Sequence, residues 1–307
     1  MNCERINLFV GKPNVGKSNL LEALALLGVN YQRANRAAFS ELIRYEQMAD
    51  LFYDQNILEE EIKVESPEIG AATLKYHKSE FAFFLKDVFQ NAFNVNFGTD
   101  GRPNNGNGSS EPGSSVKYYQ FPDKQVFRIN NEEPALQFPH GENFLSILQT
   151  NKKVRLEASA IFEQYGLELL LDAHSNRLDI VKRREGILFK TPFSLVADTL
   201  RRYLFHLAAI ESNRDTILLF EEPESHNFPP YITRLARRIM EQESNQFFIT
   251  THSPFLFNTL VEEEQNVAIF LVEFEDFQTK VRRLSEEQLR EVLDYGLNIF
   301  TQQELFT

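Results

Sequence analysis

Four short runs of mostly apolar residues set the frame of this chain: Ile6 to Val10, Thr216 to Phe220, Gln246 to Thr250 and Val267 to Phe274. None shows the strict apolar–polar alternation of a half-exposed strand. Each predicts a strand buried on both faces, as in a parallel sheet covered by helices. Between them the period changes to that of helices. Ser18 to Leu27 places Leu20, Leu21, Leu24 and Leu27 inward and stops at Gly28; Ser194 to Ile210 and Tyr231 to Met240 predict two more helices. From residue 155, Leu156, Ile161, Phe162, Tyr165 and Leu169 predict one apolar helical face. Ser285 followed by Gln288 is a capping box opening a helix to Leu293. The alternation predicts an α/β fold with a mostly parallel core sheet.

The middle of the chain reads differently. Ile62 to Val64, Ala72 to Tyr76, Val116 to Phe121 and Gln125 to Ile129 predict strands, and Phe81 to Phe89 fits strand or helix. Leu178 to Val181 with Ile187 to Lys190 predicts a hairpin. Gly98 to Ser115 is rich in Gly, Asn, Ser and Pro and predicts a mobile surface loop. The expected organisation is one discontinuous domain over 1–307, with a strand-rich insertion at about 57–150 carrying the flexible loop 98–115.

Composition narrows the class. The chain has 307 residues, 42% hydrophobic and 25% charged, which is ordinary for a globular protein. No apolar run reaches the ~18 residues that cross a bilayer. A single cysteine, Cys3, excludes an internal disulfide framework and a cysteine zinc cluster, and a reducing, cytoplasmic setting is expected. With 32 basic and 44 acidic residues the formal charge is −12, which does not support general coating of nucleic acid. Basic clusters at 182–184 and at Arg201 and Arg202 read as solvated faces.

The chemistry starts after the first apolar run. Gly11-Lys12-Pro13-Asn14-Val15-Gly16-Lys17-Ser18 fits G-x-x-x-x-G-K-[ST], between a predicted strand and a predicted helix. Gly11 and Gly16 allow successive backbone N–H groups to turn toward phosphate oxygens, and the helix start adds positive potential. Lys17 is the point charge for the β- and γ-phosphates, and the Ser18 hydroxyl is a magnesium ligand. The same loop also suits translation-type GTPases. Those need D-x-x-G and N-K-x-D; no aspartate here has glycine three positions on, and Asn151-Lys152 is followed by Val154.

Two further strand ends carry candidates. In TILLFEEPESH, Glu221 is placed to hold Mg²⁺ and Glu222 to polarise an attacking water. In QFFITTHSP, His252 lies at a parallel-strand C-terminus, the edge where open α/β sheets bind ligands.

Three strings together, GKPNVGKSNLLEAL, ILLFEEPESHNFPPYI and FFITTHSPFLFNTL, resemble the ABC-type ATPases of the SMC/RecF/OLD group, in particular the stand-alone AAA family ATPases of the AAA_15 and AAA_21 kind. The tail VAIFLVEFEDFQTKVRRLSEEQLREVL is similar to that family's C-terminus, and the likeness covers 1–56 and about 145–307. The resemblance implies a P-loop NTPase of two lobes, with ATP and Mg²⁺ sandwiched between head-to-tail protomers. Carried over, Gly11 to Ser18 is the Walker A loop with Asn19 beside it, Glu221 the Walker B acid, Glu222 the catalytic glutamate and His252 the switch histidine. Gln55 is the candidate for the glutamine loop and thus a metal-side ligand. The implied output is ATP hydrolysis coupled to a protein partner from the same operon, as in anti-phage defence or toxin-type systems. A RecF-like DNA repair ATPase and a nucleotide-gated binding module with little turnover are the alternatives.

The chain departs from this family in two places. The stretch 193–201 lacks the glycine of the Ser-x-Gly signature; Ser194 or the pair Asp198-Thr199 takes its place, and an anionic Asp198 opposes closure on phosphate unless a cation intervenes. Only Met1 to Arg5 precede the phosphate-loop strand, where the family has one or two further strands. A truncated start and an unpaired sheet edge are therefore expected.

Overall fold

The computed structural model describes residues 1–29, 39–41, 43–108, 115–130, 132–264, 266–295 and 299–300. The chain divides into two compact bodies, Met1–Lys17 with Tyr119–Thr307, and Ser18–Tyr118. From the N-terminus, β1 (Ile6–Val10) leads through the glycine loop into α1 (Lys17–Leu26). Then follow β2 (Ile62–Ser66), β3 (Gly70–His77), β4 (Glu80–Asp87), β5 (Ala92–Phe97), β6 (Pro103–Gly108) and β7 (Val116–Tyr119). The remainder carries α2 (Phe144–Thr150), α3 (Lys152–Glu163), β8 (Glu168–Asp172), β9 (Arg177–Arg184), β10 (Ile187–Pro192), α4 (Asp198–Ser212), β11 (Ile217–Glu221), α5 (Pro229–Glu241), β12 (Gln246–Thr250), α6 (Pro254–Glu263), β13 (Val267–Glu275), β14 (Gln278–Arg283) and α7 (Glu286–Tyr295).

The strands of the first body form a sheet in the order β14-β13-β1-β12-β11. β1, β11, β12 and β13 run parallel, as their apolar runs predict, and β14 returns antiparallel along β13. Leu8, Phe220, Phe247, Ile249 and Leu271 are fully buried in the core between this sheet and its helices. β1 is an interior strand with β12 and β13 on either side, so the open edge expected beside it does not occur. β14 (QTKVRR) is polar because only one flank pairs, and it carries no apolar signal in the sequence. A second, antiparallel sheet has the order β10-β9-β8 and contains the expected hairpin.

Three local expectations change. No strand forms at Gln125 to Ile129: the Arg128 N–H is taken by the Glu142 carbonyl at 2.7 Å, and Phe127 stacks on Phe144. α3 buries Val154, Ala158, Ile161 and Phe162, while Leu156 and Tyr165 face solvent and Leu169 belongs to β8. The helix expected from Ser194 starts instead at Asp198, after a single 3₁₀ turn at Phe193–Leu195.

The second body is built on a five-stranded antiparallel sheet, β2 to β6 in sequence order. Its aromatic segment at 81–89 is a strand because alternate residues, Phe81, Phe83 and Leu85, face inward. They pair across with Phe97, Val95 and Phe93 of β5, which are buried too. Phe39 closes this face, its ring 4.9 Å from Phe97. Of the stretch 98–115 expected to be a mobile loop, Pro103–Gly108 form β6, where backbone pairing to β5 needs no apolar side chain, and 109–114 lie outside the described residues.

Candidate functional site

Strand register brings three chain segments to one edge. Phe9 of β1 lies level with Thr250 of β12, and Thr250 lies level with Glu221 of β11. Past the last paired residues, the Thr251 N–H donates to the Phe9 carbonyl at 3.2 Å and the Glu222 N–H to the Thr250 carbonyl at 3.0 Å. The glycine loop leaves β1 at this level. Adjacent parallel strands with their C-terminal ends aligned form the ligand-binding edge of an α/β sheet.

The loop is shaped by close packing. Asn14 and Gly16 have φ of 62° and 94°, the left-handed region in which successive N–H groups turn to a common side. A Cβ on Gly16 would run into the Thr279 hydroxyl of β14, and one on Gly11 into the Val272 carbonyl of β13. Thr279 in turn donates to the Val15 carbonyl at 2.9 Å, fixing the loop from outside. Lys12, Pro13 and Asn14 are exposed and Val15 is buried. Lys17 is only 7% exposed, and its ammonium donates to the carbonyls of Gly11 and Lys12 at 2.9 and 2.8 Å. An ammonium has three donors, so one N–H remains for an anion. Burial lowers the Lys17 pKa, against the opposing pull of Glu222 and Glu221. Ser18 and Asn19 follow in the first turn of α1, Ser18 half-buried and Asn19 exposed.

The facing charges come from the other two strand ends. His252 Nε2 is 3.5 Å from Glu222 Oε1, with 35% and 41% of the two side chains exposed. Burial first, and then the charge of Lys17, hold the His252 pKa below its ordinary value against the pull of Glu222. The imidazole is therefore neutral at pH 7. Glu222 has φ of 40°, a costly conformation for a residue other than glycine, and its Oε2 accepts from the Ser225 hydroxyl at 3.0 Å. Lys17 thus feels Glu221 and Glu222, and His252 feels Lys17 and Glu222: the three segments share one electrostatic site.

Gln55 lies in the second body, exposed on a 3₁₀ turn, with its amide donating to Asp50 Oδ1 at 3.0 Å. Among the described residues no three His, Cys, Asp or Glu side chains group to hold a metal unaided. The Mg²⁺ donor set offered by the sequence is one carboxylate, Glu221, one hydroxyl, Ser18, and the side-chain amide of Gln55. Such a set suits Mg²⁺, which keeps waters and takes its remaining ligands from nucleotide phosphates.

Residues 193–201 also take a defined form. Asp198 opens α4, and both its oxygens are engaged: Oδ1 by Arg201 at 2.8 Å and Oδ2 by Arg202 at 2.7 Å. Burial pushes the Asp198 pKa up, but the hydrogen bond and charge of Arg202, with Arg201, win and hold it below the usual range. The cations that the sequence made a condition are its own neighbours. Ser194 is exposed on the preceding turn.

Sequence reasoning missed Glu224, Thr251 and Thr279. Glu224 is buried and accepts from the Thr251 hydroxyl at 2.7 Å and the His252 N–H at 2.9 Å. The available signal was a third acid in EEPES and a second threonine in TTHS, both beside residues already chosen. Thr279 lies on a polar edge strand with no signal at all.

Residues 6–258 match the AAA_21 family, described as "AAA domain, putative AbiEii toxin, Type IV TA system". No curated protein matches the chain. Among solved structures, the fold is similar to an SMC head bound to the C-winged helix domain of ScpA, at 17% identity and a TM-score of 0.50, over 94% of this chain and 93% of that one. An SMC head with an extended coiled coil, bound to the C-terminal domain of ScpA and derived from Pyrococcus furiosus, matches at 14% identity and 0.48, over 96% and 94%. An ATP-binding cassette of an ABC transporter in its ADP conformation matches at 12% and 0.38, over 95% and 85%.

Proposed function

Because this chain belongs to the AAA_21 family of AAA ATPases, we propose that it binds ATP with Mg²⁺ and hydrolyses it at the edge formed by β1, β11 and β12. The observation that carries the reading is the shared register of Phe9, Thr250 and Glu221, with the electrostatic cross-coupling of Lys17, Glu222 and His252. The chain is read as one discontinuous ATPase domain with the strand-rich part inserted.

The roles follow from the chemistry. Lys17 offers its remaining N–H to the phosphates from a partly dehydrated position, where a charge-assisted bond is strong. Glu222 has a side chain 41% exposed, suited to orient a water and take its proton. Neutral His252 has one ring N–H to give to the developing charge, from an imidazole whose Nε2 stands 3.5 Å from Glu222 Oε1. Glu221 and Ser18 would hold Mg²⁺, whose chemistry is to neutralise phosphate charge. Gln55 and Asn19 stay candidates for the metal side and the phosphate side.

The proposal extends to a head-to-tail homodimer and to a protein partner; the partner is in line with the family description and, as analogy of fold only, with the ScpA-bound SMC head. A second reading, a nucleotide-gated module with little turnover, is favoured by one feature: segment 193–201 has Asp198 and no glycine. Its charge is already balanced by Arg201 and Arg202, which removes the electrostatic objection to closure. Release of phosphate from γ-labelled ATP by the purified chain tests the first reading. Tight ATP binding without release supports the second, and neither binding nor release contradicts both.

A further inference from the structure

Glu224 lies two residues beyond Glu222 and has no part in the scheme above, yet it is among the few buried acids of the first body, at 8% exposure. Its Oε1 accepts two hydrogen bonds, from the Thr251 hydroxyl at 2.7 Å and from the His252 backbone N–H at 2.9 Å. The Thr251 hydroxyl also accepts from the Ser253 N–H at 3.0 Å, and Ser253 caps α6 by accepting from the Leu256 N–H at 3.3 Å. One carboxyl oxygen therefore fixes the whole turn from the end of β12 to the start of α6. His252 is the residue at the centre of that turn whose side chain points out, to within 3.5 Å of Glu222.

The second oxygen, Oε2, is buried with no hydrogen-bond partner among the described residues. A buried polar atom without a partner costs stability, and such costs concentrate where a site needs a fixed geometry. Burial is the main cause pushing the Glu224 pKa up, with the Glu222 charge a minor one. A neutral carboxyl still leaves Oε1 as a carbonyl acceptor for both bonds.

We propose that Glu224 is a positioning residue: it clamps the Thr251–His252 turn and so sets the imidazole against Glu222, controlling turnover rather than nucleotide affinity. The kinetic part rests on the ATPase reading above; the clamp itself does not. Without Oε1 the Thr251 hydroxyl and the His252 N–H lose their shared acceptor, the turn keeps its internal Thr251–Ser253 and Ser253–Leu256 bonds, and the His252 ring loses its fixed angle.

Two measurements on the full chain test this. Amide exchange of His252, followed by NMR, reads the clamp directly. Glu224→Ala should speed it at least about tenfold relative to wild type, while amides of β1 stay protected. In the ATPase assay Glu224→Ala should lower kcat about 10- to 100-fold and move KM for ATP less than about threefold. Glu224→Gln keeps an acceptor at Oε1 and should hold kcat within about threefold of wild type. Glu224→Ala combined with His252→Ala should be no slower than His252→Ala alone, within about twofold, since both act through one group. Should Glu224→Ala not fold, Thr251→Val removes one arm of the clamp and should lower kcat about threefold with KM kept. Additive losses in the double variant, KM rising in step with the fall in kcat, or a Gln variant as slow as the Ala variant would each overturn the proposal. If the wild type hydrolyses no ATP, the ATPase reading fails, and unchanged His252 exchange in Glu224→Ala or Thr251→Val overturns the clamp separately.

Discussion

The sheet edge around Lys17 and the helix start at Asp198 both present charged groups at the end of an element, but different forces hold them. At the edge, the Lys17 loop, Glu221 with Glu222, and the Thr251–His252 turn each sit at or just past the C-terminal end of a buried strand, and neighbouring strands fix the height of those ends. Lys17, Glu224, Thr250 and Thr251 are buried there, so a charge is felt across the site with little screening. At Asp198 the holding forces are two ion pairs one helical turn away, with side chains 16–38% exposed. Such pairs neutralise well and stabilise little. The edge is thus set by the fold, whereas the Asp198 segment is set by its own side chains and is open to adjustment by whatever it meets.

That contrast predicts unequal responses to substitution. Lys17→Ala removes the buried cation and should weaken ATP binding on the order of 1,000-fold, measured by calorimetry, because charge-assisted bonds to phosphate are lost. Retained affinity would mean that the edge does not hold the triphosphate.

Inside α4, behind Asp198, the anchoring is of the buried kind. His206 is wholly buried, its ring edge-on to Phe205 and Phe220, and burial pushes its pKa down to about 4. Its folded value lies below the unfolded one, so the unfolded state binds more protons between pH 6.5 and 4, and stability falls as pH falls through that window. The loss attributable to His206 reaches about 3 kcal/mol by pH 4. His206→Leu should flatten the pH dependence of urea unfolding by that amount. An unchanged slope would show that α4 is not locked to β11 as described.

His252 has the same sign and a smaller size. Its depressed pKa means that turnover should stay level down through the ordinary imidazole range and fall only at more acidic pH, as the ring protonates. A rate that rises on acidification would mean the imidazolium is the working form.

The smallest effect belongs to Asp198. Its depressed pKa gives stability that is present above the unfolded value near pH 4 and is lost as pH falls through the folded one. Asp198→Asn should cost below about 1 kcal/mol at pH 7, and the cost should shrink as pH falls through the depressed folded value, by thermal melting. A larger cost would place this segment with the buried edge rather than apart from it.

The same contrast governs what could be read from residues alone. The strands at 6–10, 217–221 and 246–250 were legible because burial on both faces demands apolar runs, and their tips then pointed to Lys17, Glu221, Glu222 and His252. β14 and β6 were not, since pairing satisfies their backbones while their side chains stay polar. Leu156 and Tyr165 fit a helical face by spacing but lie exposed, because the helix turns Val154 and Ala158 to the core. Glu224 escaped notice because its partners, Thr251 and His252, are distant in sequence and meet it only through strand register.

The most direct test is the mass and turnover of Glu222→Gln in ATP and Mg²⁺, beside wild type. If Glu222 acts on a triphosphate held by the Lys17 loop, the variant binds ATP, loses at least about 100-fold in turnover and shifts to a dimer that reverts with ADP. A Glu222→Gln chain that stays monomeric and hydrolyses ATP at the wild-type rate would contradict it.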